Sequence, residues 1–305
     1  MSSIKSPEKY ISPETEKNKT EAKTLYLVGT PIGNLADISE RALKTLSEVD
    51  FVAAEDTRNS GRLLAYFGIK KPMVSYFEHN KRERGEEIVR RIEDGASCAL
   101  ITDAGMPAIS DPGEDIVRLC AERGIPVCVV PGACAAVSAL AVSGLPTSRF
   151  VFEGFLSTAK AERRKSLEAL KNERRTVILY EAPHKLVGTL ADIFAVLGDR
   201  RLSLCRELTK LNEEVIRTTV SGAMKYYEDK APRGEYVLIL EGASEDKVRE
   251  EAFWSGMHGG AYGALCFARH DEKRRDKSRG FRQRTCQKRG LRRGHEKIEK
   301  TQIPL

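Results

Sequence analysis

Five short segments of this 305-residue chain carry residues suited to holding a small polar ligand on backbone groups. They are V-G-T-P-I-G-N (Val28 to Asn34), T-D-A-G-M-P-A-I-S-D-P-G (Thr102 to Gly113), P-G-A-C-A-A (Pro131 to Ala136), Y-E-A-P-H-K (Tyr180 to Lys185) and P-R-G-E (Pro232 to Glu235). Glycine and proline let main-chain N–H and C=O groups approach a ligand closely. None of the five contains G-K-[ST] or G-x-G-x-x-G, which argues against a nucleotide polyphosphate. Taken singly, each also reads as a tight turn.

Such loops need strands and helices to aim them. From Thr24 the sequence alternates short β-rich runs with amphipathic stretches, the pattern of a mostly parallel sheet covered by helices. The expected strands are Leu25 to Val28, Phe51 to Ala54, Met73 to Ser75, Ala99 to Thr102 and Val127 to Val130. Helices are expected near Ile38 to Ser47, Ser60 to Phe67, Arg82 to Asp94, Glu114 to Glu122 and Cys134 to Ala141, the first started by a capping box of Asp37 and Glu40. Gly144 and Pro146 break the pattern. Beyond them come apolar runs at Phe150 to Phe155, Val177 to Tyr180, Leu202 to Cys205 and Tyr236 to Leu240, with helices around Ala161 to Lys171 and Leu186 to Leu197. The expected organisation is a disordered start (residues 1–23), an N-terminal α/β domain (24–145), a C-terminal α/β domain (146–243) and a tail (244–305). In open α/β sheets ligands gather at the carboxyl ends of strands, and the first four segments follow strands there.

Bulk properties narrow the class of protein. Seven scattered cysteines, an odd number with no C-x-x-C pair, favour reduced thiols and a cytoplasmic setting, and no metal site is expected. The uncharged stretch Gly124 to Ser148 has the length of a membrane span, but Pro126, Pro131, Gly132, Gly144 and Pro146 punctuate it as a soluble core would be. The net charge of +7 sits in the tail: residues 269–305 hold 14 Lys and Arg against 5 Asp and Glu. Bulk charge therefore gives the folded part no nucleic-acid signature.

A ligand without phosphates, whose carboxylate takes backbone N–H groups and whose adenine takes apolar walls, fits the five segments, and S-adenosylmethionine has those parts. Taken together the segments resemble the tetrapyrrole methylase superfamily, in its ribosomal RNA small-subunit methyltransferase I branch. L-Y-L-V-G-T-P-I-G-N-L-A-D-I, A-E-D-T-R (Ala54 to Arg58), the T-D-A-G loop, L-Y-E-A-P-H and R-G-E-Y-V-L-I-L-E-G carry that resemblance, which runs from Thr24 to about Gly242. Lys185 and Cys134 depart from it, standing where the family favours arginine and serine. The resemblance implies an α/β protein of two domains, each a mostly parallel or mixed sheet with helices, with S-adenosylmethionine in the cleft between them. It also implies 2′-O-methylation of a cytidine in the decoding centre of 16S ribosomal RNA, within the small subunit, by a homodimer. Mapped onto this chain, it assigns the cofactor to Pro31, Asp103, Ala104, Gly105, Pro107, Ser110, Asp111, Pro131, Gly132, Ala133, Cys134, Ala135, Tyr180, Pro183 and His184.

Methyl transfer to a ribose hydroxyl is an in-line displacement that needs alignment and removal of a proton. Asp56, His79, Glu181 and His184 are the candidate bases near strand ends. Asp56 could instead pair with Arg58, and His79 could cap the following helix. Arg58, Lys81, Arg82 and Arg84 are candidates to grip RNA phosphates, although such runs are also ordinary surface charge. Two other readings stay open: a superfamily enzyme acting on a tetrapyrrole or other small acceptor, and a non-enzymatic RNA-binding module.

The tail breaks with the resemblance, because Gly259 to Leu305 has no helical apolar period and is crowded with Arg and Gly. Permitted codons for His270 to Ser278, read one nucleotide later, give M-T-K-K-D-A-I-K; Lys288 to Glu299 then gives K-E-V-Y-A-E-V-M-R-K before a stop. A one-nucleotide change of frame near Met257 to Gly260 is therefore expected, with the tail disordered and its basic charge a product of the shift.

Overall fold

The structure, a computed structural model, describes residues 19–244. Most of the polar start and almost all of the basic tail, including its expected frame change, lie outside the described residues. The described residues up to Ala243 belong to one compact unit.

The first half of that unit is a parallel sheet made of β1 (Leu25–Val28), β2 (Phe51–Ala54), β3 (Met73–Ser75), β4 (Cys98–Ile101) and β5 (Val127–Val130), in the order β3-β2-β4-β1-β5. Its two-residue side-chain period feeds two cores. Leu25, Phe51, Ala53, Cys98 and Leu100 meet α3 (Lys81–Glu93) and α4 (Glu114–Glu122) through Ile88, Ile92 and Ile116. Tyr26, Val28, Val52, Ala54, Ala99 and Ile101 meet α1 (Glu40–Glu48) and α2 (Thr57–Tyr66) through Ala42, Leu46 and Leu64. With both faces covered, the strands read as apolar runs rather than alternating ones. The chain leaves β1 toward β2 and leaves β4 in the opposite direction, toward β5. The crevice at the carboxyl ends of these adjacent strands is therefore a topological switch point.

The second half is a mixed sheet of β6 (Phe150–Phe155), β7 (Thr176–Glu181), β8 (Arg201–Arg206), β9 (Glu214–Thr219) and β10 (Tyr236–Leu240), ordered β6-β7-β10-β8-β9. β6 and β7 are parallel, and β10 runs antiparallel to both β7 and β8. On one face α6 (Lys160–Ala169), α7 (Pro183–Leu197) and α8 (Val220–Tyr226) bury Leu167, Leu190, Ile193 and Val220 against Val177, Leu179, Leu204 and Leu238. The other face is covered by α5 (Ala135–Val142), whose Ala136, Ala139 and Leu140 pack on Ile178, Cys205, Val237 and Ile239. The nearly buried Asp192 of α7 ties α6 to α7 by accepting from Arg163 at 2.6 and 2.9 Å and from Arg164 at 2.9 Å.

Three local expectations are corrected. Asp37 is not the cap of α1: Asn34 opens a short 3-10 turn at Leu35–Asp37, and Ser39 becomes the cap, accepting from the Ala42 N–H at 3.1 Å. The fourth strand starts one residue earlier than expected, because Cys98 pairs with both Leu25 and Phe51. The strand β9 and the helix α8 had no counterpart in the pattern reading. No helix among the described residues is long and apolar enough to cross a membrane.

Candidate active site

The loops that follow β1 and β4 meet at the switch point. Thr30 and Gly105 exchange two backbone hydrogen bonds, of 2.9 and 3.1 Å, and the Thr30 hydroxyl donates to the Thr102 carbonyl at 3.2 Å. The loops after β1 and β5 touch even more closely: a Cβ on Gly29 would lie 2.7 Å from the Gly132 Cα, so only glycine fits at this contact. Five described non-glycine residues have positive φ, and four of them, Ala108, Ser110, Glu207 and Thr209, lie in just two loops, after β4 and after β8. Such backbone costs about 1–3 kcal/mol per residue and persists where its surroundings enforce it, often at functional sites.

Those two loops face each other across a cavity of about 410 Å³. Met106, Ile109, Tyr180, Leu208 and Val237 give it apolar walls, while Asp111, Glu181, Glu207 and Glu235 bring carboxylates to it. Cys134 and Ala135 bring the first turn of α5 to its edge, and Ala182 and Pro183 bring that of α7. Neither helix start has a side-chain cap, and Pro183 suits its position because a first-turn N–H has no helical partner. The Tyr180 hydroxyl accepts from the Ala136 N–H at 3.1 Å, joining β7 to α5, and burial pushes this phenol up to about 12. Burial, followed by the charges of Glu55 and Asp103, pushes Asp111 up to about 6. A second cavity, of about 350 Å³, adjoins the first and shares Ile32, Ala104, Lys210 and Glu235 with it.

The expected cofactor residues divide among these places. Ala104, Gly105, Ser110, Asp111, Cys134, Ala135, Tyr180 and Pro183 line the larger cavity. Pro31 and Asp103 line the second, where Asp103 accepts from the Asn59 amide at 3.0 Å. Pro107, Pro131, Gly132, Ala133 and His184 line neither; Gly132 acts by supporting the loop after β1.

The four candidate bases are not brought together. Asp56 caps α2 through the Arg58 N–H at 2.8 Å and pairs with the Arg58 guanidinium, also at 2.8 Å. Those contacts hold its carboxyl at about 2, where it is a weak base. His79 is exposed beside Phe77, at a ring separation of 6.2 Å, and His184 is exposed on the first turn of α7. Glu181 lines the larger cavity but is buried, accepting from the Ala182 N–H at 2.9 Å and from Thr189 at 2.5 Å, with Lys185 at 3.1 Å. Of the expected RNA-gripping residues, Arg58 and Arg82 are exposed, Lys81 lies between Glu78 at 2.7 Å and Asp115 at 2.8 Å, and Arg84 pairs with Glu87. Among the described residues no cluster of His, Cys, Asp or Glu is arranged to hold a metal ion.

The pattern reading missed Glu207, Leu208 and Lys210, and it gave Glu235 no role. The Glu207 to Lys210 run directly follows β8, so the strand-end rule could have found it. Glu235 precedes its strand; only the reversal of β10 puts it beside the ends of β7 and β8, with Tyr236 paired to both Glu181 and Arg206.

The residues fit S-adenosylmethionine: apolar walls for adenine, two helix starts for a carboxylate and acidic groups for the ammonium and sulfonium ends. Fold and cavity define the class, an α/β protein with a cavity of cofactor size at a topological switch point. Residues 24–223 match the tetrapyrrole (corrin/porphyrin) methylases. The chain is 48% identical over 236 residues to the ribosomal RNA small subunit methyltransferase I of Synechocystis, covering 74% of this chain and 85% of that protein. It is 49% identical over 218 residues to the one of Thermotoga maritima, covering 72% and 98%. Among solved structures it resembles uroporphyrin-III-C-methyltransferase from Thermus thermophilus, with a TM-score of 0.52 at 22% identity over 71% of this chain and 94% of that one, a likeness of fold. The chain belongs to the tetrapyrrole methylase family, and S-adenosylmethionine is its cofactor.

Proposed function

We propose that this protein methylates the 2′-hydroxyl of a cytidine in the decoding centre of 16S ribosomal RNA, within the small ribosomal subunit. The observation that carries the reading is the identity of 46–49% to proteins that share one name, ribosomal RNA small subunit methyltransferase I, over 218–244 residues. The second cavity supports it by giving an acceptor room beside the cofactor. Bound in the larger cavity, the cofactor supplies an electrophilic methyl on a sulfonium. Met106, Tyr180 and Val237 would give it apolar walls that exclude water, and Asp111, as a carboxylate, would offset its positive charge. A cytoplasmic setting follows from this substrate and from the scattered cysteines. A homodimer completes the reading, supported by the exposed apolar Val129 on the edge strand β5 and Val137 and Val142 on the helix after it.

The test is transfer of tritiated methyl from labelled cofactor to small subunits that lack the modification, with the labelled nucleotide mapped. Label on one cytidine ribose is expected. Label on a base, or transfer only to a porphyrin precursor, would overturn the proposal. Sedimentation equilibrium tests the dimer, with twice the chain mass expected.

A further inference from the structure

The wall between the two cavities combines Ile32 and Ala104, from loops of the first sheet, with Lys210 and Glu235, from two loops of the second. After β8 the chain turns through Glu207 at φ 51° and Thr209 at φ 66°, a tight loop closed by the Lys210 N–H donating to the Glu207 carbonyl at 3.0 Å. The Lys210 ammonium donates to Glu207 at 2.9 Å and to Glu235 at 2.6 Å, and the Glu235 N–H donates back to the Glu207 carboxylate at 2.9 Å. This places Lys210 against the loop after β1, where a Cβ on Gly33 would lie 2.4 Å from the Lys210 Cγ. Lys210 and Glu235 are the two charged residues common to both cavities.

The chemistry of the second cavity is that of a nucleoside site. Leu35 and Leu63 offer apolar surface to a base, and Asp103 brings a carboxylate that can accept from an exocyclic amino group, as acidic side chains do from cytosine. Its volume of about 350 Å³ lies within the range of small-molecule sites, roughly 300–1,000 Å³.

Resting on the functional reading above, we propose that the second cavity receives the acceptor nucleoside, with Asp103 reading its base amine and the Lys210 and Glu235 pair handling its ribose hydroxyl. The ribose oxygen gains the methyl carbon as the carbon–sulfur bond breaks with its electron pair kept by sulfur, and the hydroxyl proton passes to the Glu235 carboxylate. Lys210 stabilises the negative charge that grows on the oxygen. A carboxylate suffices as the acceptor of this proton because the hydroxyl becomes strongly acidic only as the new bond forms. The charged groups facing Glu235 are Lys210 and Glu207 on the loop after β8, with Asp103 across the cavity.

Four variants of the full chain test this: Glu235→Gln, Lys210→Met, Asp103→Asn and Leu63→Arg. Thermal melts show whether all four are folded, and cofactor affinity, read separately by calorimetry, is expected to stay within about threefold of wild type if the four residues serve the acceptor. Leu63→Arg should weaken equilibrium binding to undermethylated small subunits by about tenfold, and Asp103→Asn should weaken it by a smaller factor. Glu235→Gln should cut the single-turnover rate by about 10²–10⁴, the range of a lost general base, and flatten its dependence on pH, with partial rescue in Glu235→Asp. Lys210→Met should lower the rate without changing subunit affinity. Unchanged subunit binding in Leu63→Arg overturns the acceptor site, and wild-type rates in Glu235→Gln overturn the proton path. A loss of cofactor affinity in Glu235→Gln and Lys210→Met would instead assign the pair to the cofactor. If wild type labels no RNA at all, the functional reading itself fails and this inference falls with it.

Discussion

Asp111 is an acid kept against its preference for ionisation. It sits in the loop after β4, with burial as the largest influence and Glu55 and Asp103 as neighbours of like charge, so its pKa stands at about 6 rather than 3.8. The folded state then binds more protons than the unfolded chain between those two values, and stability falls as pH rises through that window. Asp111→Asn removes the loss and should raise the melting temperature at pH 7 while leaving it unchanged near pH 3.5. Cofactor binding should respond in the opposite sense, because the ammonium and sulfonium ends favour the ionised carboxylate. Wild-type affinity is expected to weaken below about pH 6, and the asparagine variant to bind more weakly with a flat pH profile. Calorimetry across pH 5–8 checks both; a flat wild-type profile would discard the assignment. The sequence showed Asp111 as part of a dense loop, but it could not show that Glu55, from a different strand end, is near enough to raise it. Asp56 illustrates the reverse: an acid two residues before an arginine was legible as a local pair, and the structure uses it as a cap.

At the scale of elements, the five parallel strands were legible to within one residue because strands buried on both faces are short apolar runs bounded by Gly, Pro and charge. β9 was not, because Glu214 to Thr219 is a half-exposed edge strand with charges on it, and α8 was not, because seven residues containing a glycine carry little helical period. Half of the larger cavity was legible for the same reason that the parallel sheet was: its loops follow strands. The half supplied by β10 was not, since the direction of a strand is a property of its neighbours rather than of its own residues. The Gly29 and Gly132 contact locks the loops after β1 and β5 together: an added methyl on Gly132 meets the Gly29 backbone, and one on Gly29 meets the Gly132 backbone as well as the Met106 sulfur. Gly132→Ala should therefore cost about 1–3 kcal/mol, as overpacking does, and should weaken cofactor binding more than a substitution of the same size on the surface. Thermal melts with and without cofactor would measure both effects.

Across the whole molecule, α5 joins the two sheets physically. Its first turn edges the larger cavity, its body covers the second sheet, and its last carbonyls, those of Val142 and Ser143, accept from the Arg217 guanidinium of β9. A cation at a helix C-terminus also complements the dipole, which at a partly buried end is worth up to about 2 kcal/mol. Arg217→Ala is expected to lower stability by about 1–3 kcal/mol, since it leaves two carbonyls without this donor. Because the same helix presents its start to the larger cavity, the proposed cofactor site, the variant should also bind S-adenosylmethionine less tightly, whereas Arg217→Lys should recover part of both losses. Urea denaturation and calorimetry on the three proteins would separate the effects, and full cofactor affinity in the alanine variant would show that the two ends of α5 act independently.

The place of β10 in the second sheet has a consequence for biosynthesis. It is last of the described strands in the chain yet lies between β7 and β8, so those strands leave the ribosome with no partner on their facing edges. At about 5–20 residues per second, the roughly 30 residues between the end of β8 and the start of β10 take on the order of 2–6 seconds to synthesise. During that interval the nascent chain carries open strand edges, which invite pairing with other chains. Arrival of β10 closes the sheet and delivers Glu235 beside Lys210 in the same event, so the wall between the two cavities and protection from aggregation are acquired together.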